Sequence, residues 1–156
     1  MAEFMSNISI VMALYVEKLI SEEKVIAWAD KQILANAEPF EPLCQLSVEG
    51  PKSCLRLPES EFPRYNEFTF MEKFALRTHD LDIENGDELT DFLIWLASAS
   101  LGYDIQDPEV HLGYLIDHYW FECGDKEYAL SFARQELPPL IVKHKSVAKG
   151  IWKQAV

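Results

Sequence analysis

Apolar residues return every three or four positions along most of this chain, and that spacing restricts it to helices. Val11, Leu14, Tyr15 and Leu19 form the first such set. Val25, Ile26, Trp28, Ala29, Ile33 and Leu34 form the second. Ser21 precedes it as an N-cap, and Glu22 and Glu23 suit the positive end of the helix dipole. Pro39 and Pro42 end that helix and start a short third one carrying Phe40, Leu43 and Leu46. Gly50-Pro51 is a break, and Pro51, Pro58 and Pro63 predict an irregular connection with one short turn. The next helix is expected from about Tyr65 to His79, burying Phe68, Met71, Phe74 and Ala75.

The second half follows the same rules. Asn85-Gly86-Asp87 leads into a helix with Leu89, Phe92, Leu93, Leu96 and Leu101, and Gly102 suits its end. Few polar positions follow Asp91, so this helix is expected to be the central one. Asp107-Pro108-Glu109 starts another, running to about Cys123, where Gly124 ends it. Asp125 caps a helix with Tyr128, Ala129, Phe132 and Ala133, and Pro138-Pro139 is expected to stop it before a last helix over 140–156. The expectation is an all-α single domain of seven to eight helices over 5–156, packed as an irregular bundle or a short stack of helix pairs. Residues 1–4 read as a cloning leader before a start at Met5. With only 6 glycines, the chain lacks the turn punctuation of an all-β sandwich.

The hydrophobic fraction of 49% and the aromatic fraction of 12% argue against intrinsic disorder despite a net charge of −12. That charge repels phosphates, so nucleic acid is not the expected partner. Cys44, Cys54 and Cys123 are an odd set without a C-x-x-C pair, which points to a reducing compartment and a cytoplasmic location. No apolar run approaches the length of a membrane span. Ile8–Val16 follows Glu3 with no Lys or Arg ahead of it, unlike the lead of a signal peptide.

The charge is uneven. No Lys or Arg stands between Arg77 and Lys126, an interval with twelve carboxylates from Asp80 to Asp125. Lys143, Lys145, Lys149 and Lys153 follow Glu136 with no further acid. Helix ends account for some of this: Asp87, Asp107 and Asp125 suit caps, and Glu88 and Glu109 suit first turns. The basic tail can also fold back and neutralise part of the segment. Alternatively the excess faces outward and attracts a basic protein, presenting carboxylates where phosphates would sit in a nuclease groove. The partner-binding residues expected on that account are Asp82, Glu84, Asp87, Asp91, Asp117 and Glu122.

Motifs for catalysis are missing: there is no G-x-S-x-G, no Gly-rich phosphate loop and no Cys–His signature. The three cysteines neighbour apolar residues and are expected in the core. Asp107, His111, Tyr114, His118 and Glu122 share one helical arc, and His118 and Glu122 at i, i+4 would suit a metal-dependent enzyme. The pattern is not H-E-x-x-H, and His111 and His118 stand two turns apart, about 10 Å along the axis. The stretch Asp80–Gly86 fails the calcium-loop template, because Asn85 stands where glycine is required. No catalytic residue, metal or cofactor is therefore expected.

Glu17-Lys18-Leu19-Ile20-Ser21, Val25-Ile26-Ala27-Trp28-Ala29-Asp30, Leu43 and Leu46-Ser47 together resemble the opening of small helical bacterial immunity proteins of polymorphic-toxin and contact-dependent growth inhibition systems. The resemblance covers about the first third of the chain and transfers no functional residue. It implies a toxin inhibitor that binds and neutralises a cognate basic toxin domain, a nuclease on the charge argument. A helical adaptor or regulatory protein-binding module is the alternative, and a metal-dependent enzyme the third.

Overall fold

The computed structural model describes residues 2–155, with side chains from residue 6 onward. Among the described residues there are eight α-helices, one π-helical turn and no strand, so the chain is all-α as its spacing predicts. The helices are α1 (Ala2–Val16), α2 (Glu22–Leu34), α3 (Glu41–Glu49), α4 (Pro51–Cys54), α5 (Phe70–Thr78), α6 (Gly86–Ala99), α7 (Pro108–Ile116) and α8 (Lys126–Ala155). The π turn covers Asp117–Glu122, between α7 and α8. Of the four residues set apart as a leader, Met1 lies outside the described residues and the other three belong to α1. No helix among the described residues is long and apolar enough to cross a membrane.

The chain divides into two compact units, Met1–Phe68 with Gly150–Val156, and Thr69–Lys149. In the first, α2 packs on α3, and α1 and α4 pack on α2. Ser21 caps α2 as expected, accepting from the Lys24 N–H at 3.3 Å. Val11, Leu14, Val25, Ala29, Leu43 and Leu46 are all buried, the i, i+3/i+4 stripes that the sequence displays.

In the second unit the core joins Phe70, Phe74, Leu89, Phe92, Leu93, Leu96, Val110, Leu112, Ile116, Trp120, Ala129, Ala133 and Leu137. Two expected boundaries move. The helix expected from Tyr65 begins at Phe70, because Thr69 and Glu72 form a reciprocal capping box: Thr69 Oγ1 accepts from the Glu72 N–H and Glu72 Oε1 from the Thr69 N–H. Pro138-Pro139 does not stop its helix either. Both prolines lie exposed inside α8, and the buried row Ala129, Ala133 and Leu137 resumes in phase at His144 and Ala148. The lost bonds free the carbonyls of Arg134 and Gln135. Gln135 is exposed and Arg134 half-buried, so water can supply the missing donors.

α7 crosses α6 at Gly113 and Ser100. A Cβ on Gly113 would lie 1.9 Å from Ser100 Oγ, 2.6 Å from Ser100 Cβ and 3.0 Å from the Leu96 carbonyl oxygen. Ser100 Oγ cannot yield freely, since it donates to that same carbonyl at 2.7 Å. Helix propensity favours alanine over glycine by about 1 kcal/mol. Overpacking opposes it and wins, because the helices themselves must separate. Gly113→Ala is expected to lower the unfolding free energy by about 2 kcal/mol in urea titration, and adding Ser100→Gly restores part of the loss. An unchanged midpoint for Gly113→Ala would contradict this close approach.

Candidate functional site

Between α5 and α6 a short acidic loop is tied down by its own carboxylates. Asp82 Oδ1 accepts from the Glu84 N–H at 3.0 Å, and Glu88 Oε2 accepts from the Asp82 N–H at 3.0 Å. Asn85, not Asp87, is the N-cap of α6; its side-chain oxygen accepts from the N–H groups of Asp87 and Glu88. Asp87 sits in the first turn instead, with Asp91 one turn further along the same face. Asp82, Glu84, Asp87 and Asp91 are all exposed. Among the described residues no Lys or Arg forms an ion pair with any of the four. Arg134 does reach the loop, but its Nε–H donates to the Ile83 carbonyl rather than to a carboxylate.

Asp117 and Glu122 stand elsewhere. Asp117 is half-buried at the start of the π turn, and Glu122 Oε2 lies 2.8 Å from His118 Nδ1. The acidic loop reaches α8 at Arg134, whereas the π turn reaches it through Tyr119 against Tyr128 and Phe132. Phe132 and Arg134 are two residues apart, roughly 200° around a helix. The six expected partner-binding residues thus fall into two groups on different sides of α8.

Glu109 departs furthest from expectation. It occupies the first turn of α7, as its place after Pro108 suggests, yet it is fully buried. Lys143 Nζ and His144 Nε2 each donate to its Oε1 at 2.7 Å. The fold-back of the basic tail is realised at this one acid; among the described residues Lys145, Lys149 and Lys153 make no ion pair. Burial pushes the Glu109 carboxyl up, but the hydrogen bonds from Lys143 and His144, its backbone contacts and the Lys143 charge together hold it below the usual range. Asp107, expected as the cap of α7, has the extended N-cap backbone but makes no side-chain capping bond. Asp125 does cap α8, accepting from the Tyr128 N–H at 3.0 Å.

The π turn assembles a third cluster. Its widened ladder lets the Cys123 N–H reach the His118 carbonyl at 2.9 Å. Gly124 then takes φ +68, which turns the Asp125 N–H back onto the Tyr119 carbonyl at 2.9 Å. Cys123 Sγ consequently lies 3.5 Å from His118 Nε2, while Nδ1 of the same ring meets Glu122. The tyrosine beside them packs edge-on against Tyr128 and Phe132. Partial removal from water, then Tyr128 and Cys123, raise the Tyr119 phenol above its ordinary value. Cys123 is exposed, contrary to the expectation of a core thiol, whereas Cys54 is buried and Cys44 half-buried. Among the described residues no group of three or more His, Cys, Asp or Glu side chains is placed to hold a metal ion.

Comparison of the chain with protein-family models, curated proteins and solved structures finds no match.

Glu109 yields a test of the cluster it anchors. Breaking a buried ion pair from one side costs about 3–5 kcal/mol. Lys143 is half-exposed and can rehydrate, so Glu109→Ala is expected at the low end, about 3 kcal/mol in urea titration near neutral pH. A depressed folded pKa makes Glu109 stabilising above its unfolded value of about 4.3. That contribution is lost as pH falls through the folded value. Parent and variant are therefore expected to converge in acid, and a gap that stays constant below about pH 4 would contradict the assignment.

Proposed function

We propose that this chain is a protein-binding module that captures a basic protein through the acidic loop and the first turns of α6. The observation that carries this proposal is the state of Asp82, Glu84, Asp87 and Asp91: exposed, close in sequence, and without a Lys or Arg ion pair among the described residues. Unneutralised carboxylates on a braced backbone attract a cationic partner and speed its encounter. The Asp82–Glu84 and Glu88–Asp82 bonds hold the loop in one conformation, so little order need be imposed on binding. Asp117 and Glu122 take a lesser part, the first being half-buried and the second engaged by His118.

The partner class comes from the resemblance of the first third of the chain to immunity proteins. It rests on the residues quoted for it, and it makes the partner a toxin domain, with a nuclease groove as the best electrostatic fit. A cytoplasmic location belongs to the same proposal.

Affinity capture from the native organism, with the parent chain and with the combined Asp82→Lys, Glu84→Lys, Asp87→Lys, Asp91→Lys variant as baits, tests it. The expected result is a basic protein held by the parent, released by raised salt, and weakened about a hundredfold or more by the variant, ~2.7 kcal/mol. A partner held equally by both baits and indifferent to salt would remove the electrostatic proposal. A toxin gene beside this one, with a product that the parent chain inhibits, would support the immunity assignment; a captured basic protein without toxic activity would leave a binding module and overturn it.

A further inference from the structure

We propose that Cys123 is a reactive thiol for neutral hydroperoxides, with His118 as its base and Glu122 as the residue that positions the imidazole. This goes beyond the binding function and rests on different residues. Cys123 Sγ lies 3.5 Å from His118 Nε2, and His118 Nδ1 lies 2.8 Å from Glu122 Oε2. An ionised carboxylate only accepts hydrogen bonds, so Nδ1 carries a proton, and Nε2 is the ring nitrogen left to act as a base. The Nε2 lone pair then faces the thiol. Nucleophile, base and orienting acid stand in the order that activated nucleophiles require.

The arrangement does not suit a metal. The imidazole stands between the other two donors, each using a different ring nitrogen, so thiol, ring and carboxylate do not converge on one point. It does suit a small reactant. All three side chains are exposed, and no cleft is needed to reach them. The neighbouring charges select which reactant. Asp117, Glu122 and Asp125 border the thiol along the chain, and they disfavour an anionic electrophile relative to a neutral one.

The step balances without a cofactor. The thiol proton passes from Sγ to His118 Nε2. A sulfur lone pair attacks the terminal oxygen of the hydroperoxide; the S–O bond forms as the O–O bond breaks. The departing alkoxide or hydroxide takes the proton from Nε2, leaving a sulfenic acid on Cys123 and an alcohol or water. Sulfur loses two electrons and the peroxide gains them. The other thiols lack this apparatus. Burial, with the Glu49 charge, pushes Cys54 up to about 11, so it stays protonated. Among the described residues neither Cys54 nor Cys44 contacts an imidazole.

The full chain treated with hydrogen peroxide at neutral pH, trapped with a sulfenic-acid reagent and mapped by mass spectrometry, tests the proposal. Cys123 is expected to gain one oxygen faster than Cys44 and Cys54, and faster than the same residue in the urea-unfolded chain. His118→Ala slows it by roughly tenfold, below the effect of bases in enclosed sites, and added imidazole restores the rate. Iodoacetamide outruns iodoacetate at Cys123 by more than it does in the unfolded chain. Glu122→Gln slows oxidation less than His118→Ala does. In the nitrogen NMR spectrum of His118 it turns one Nδ1–H tautomer into a mixture, a change that loss of helix stability alone would not produce. Oxidation of Cys123 no faster than in the unfolded chain, or an unchanged rate in His118→Ala, would overturn the proposal.

Discussion

A carboxylate without exposed surface closes the hairpin of α7, the π turn and α8. Removing such a group from water costs several kcal/mol, so Glu109 can be ionised inside the second unit only if partners meet it there. α8 delivers both at once, Lys143 and His144 on the same oxygen at 2.7 Å. His144 also lies against Phe74, with ring centroids 5.2 Å apart, which carries the clasp into the aromatic core. The other oxygen of Glu109 is buried with no hydrogen-bond partner, so the pairing is one-sided. That asymmetry favours a role in specifying alignment over one in adding net stability, since buried ion pairs seldom outperform apolar substitutes. At the far end of the hairpin Tyr119 packs on Tyr128 and Phe132. Together the two ends hold α7 against α8.

This clasp also shapes the surface. Of the acids between Arg77 and Lys126, Glu109 is turned inward and internally matched, while those at the entrance to α6 face water. The backbone there is held by carboxylate-to-amide bonds, which leave the negative charge in place while satisfying N–H groups. A merely solvated face would carry the same residues. What distinguishes this loop is that Arg134, which reaches it from α8, donates its Nε–H to the Ile83 carbonyl and forms no ion pair with the carboxylates.

Much of the helical plan was legible from local chemistry. Ser21 and Asp125 cap as their types suggest, and the stripes of α2, α3 and α6 are buried at Val25, Trp28, Ala29, Leu43, Leu46, Leu89, Phe92, Leu93 and Leu96, whereas Leu34 and Leu101, expected with them, are exposed at the helix ends. The Thr69-x-x-Glu72 box was also legible, but the apolar spacing through Phe68 drew the boundary five residues too early. Pro138-Pro139 misled because a proline pair normally ends a helix. The competing signal was the i, i+4 row from Ala129 to Leu137, which keeps its phase to His144 and Ala148, and tertiary burial of that row prevailed over the lost bonds. Glu109 could not be singled out: an acid after Asp-Pro is the ordinary start of a helix, and its burial depends on residues thirty-four and thirty-five positions away.

The Cys123 cluster was illegible for a geometric reason. Five residues along an α-helix turn roughly 500°, which would leave Cys123 about 140° away from His118. The i→i+5 ladder of the π turn brings the two back onto one side. Tyr119 and Trp120 supply a physical basis for that ladder. Trp120 is buried in the core, whereas Tyr119 is half-buried and engages α8 through Tyr128 and Phe132. Two adjacent large rings with separate anchorages favour a wider turn, and Gly124, at φ +68, lets the chain leave it directly into α8. The thiol–imidazole contact is thus a consequence of how the hairpin packs.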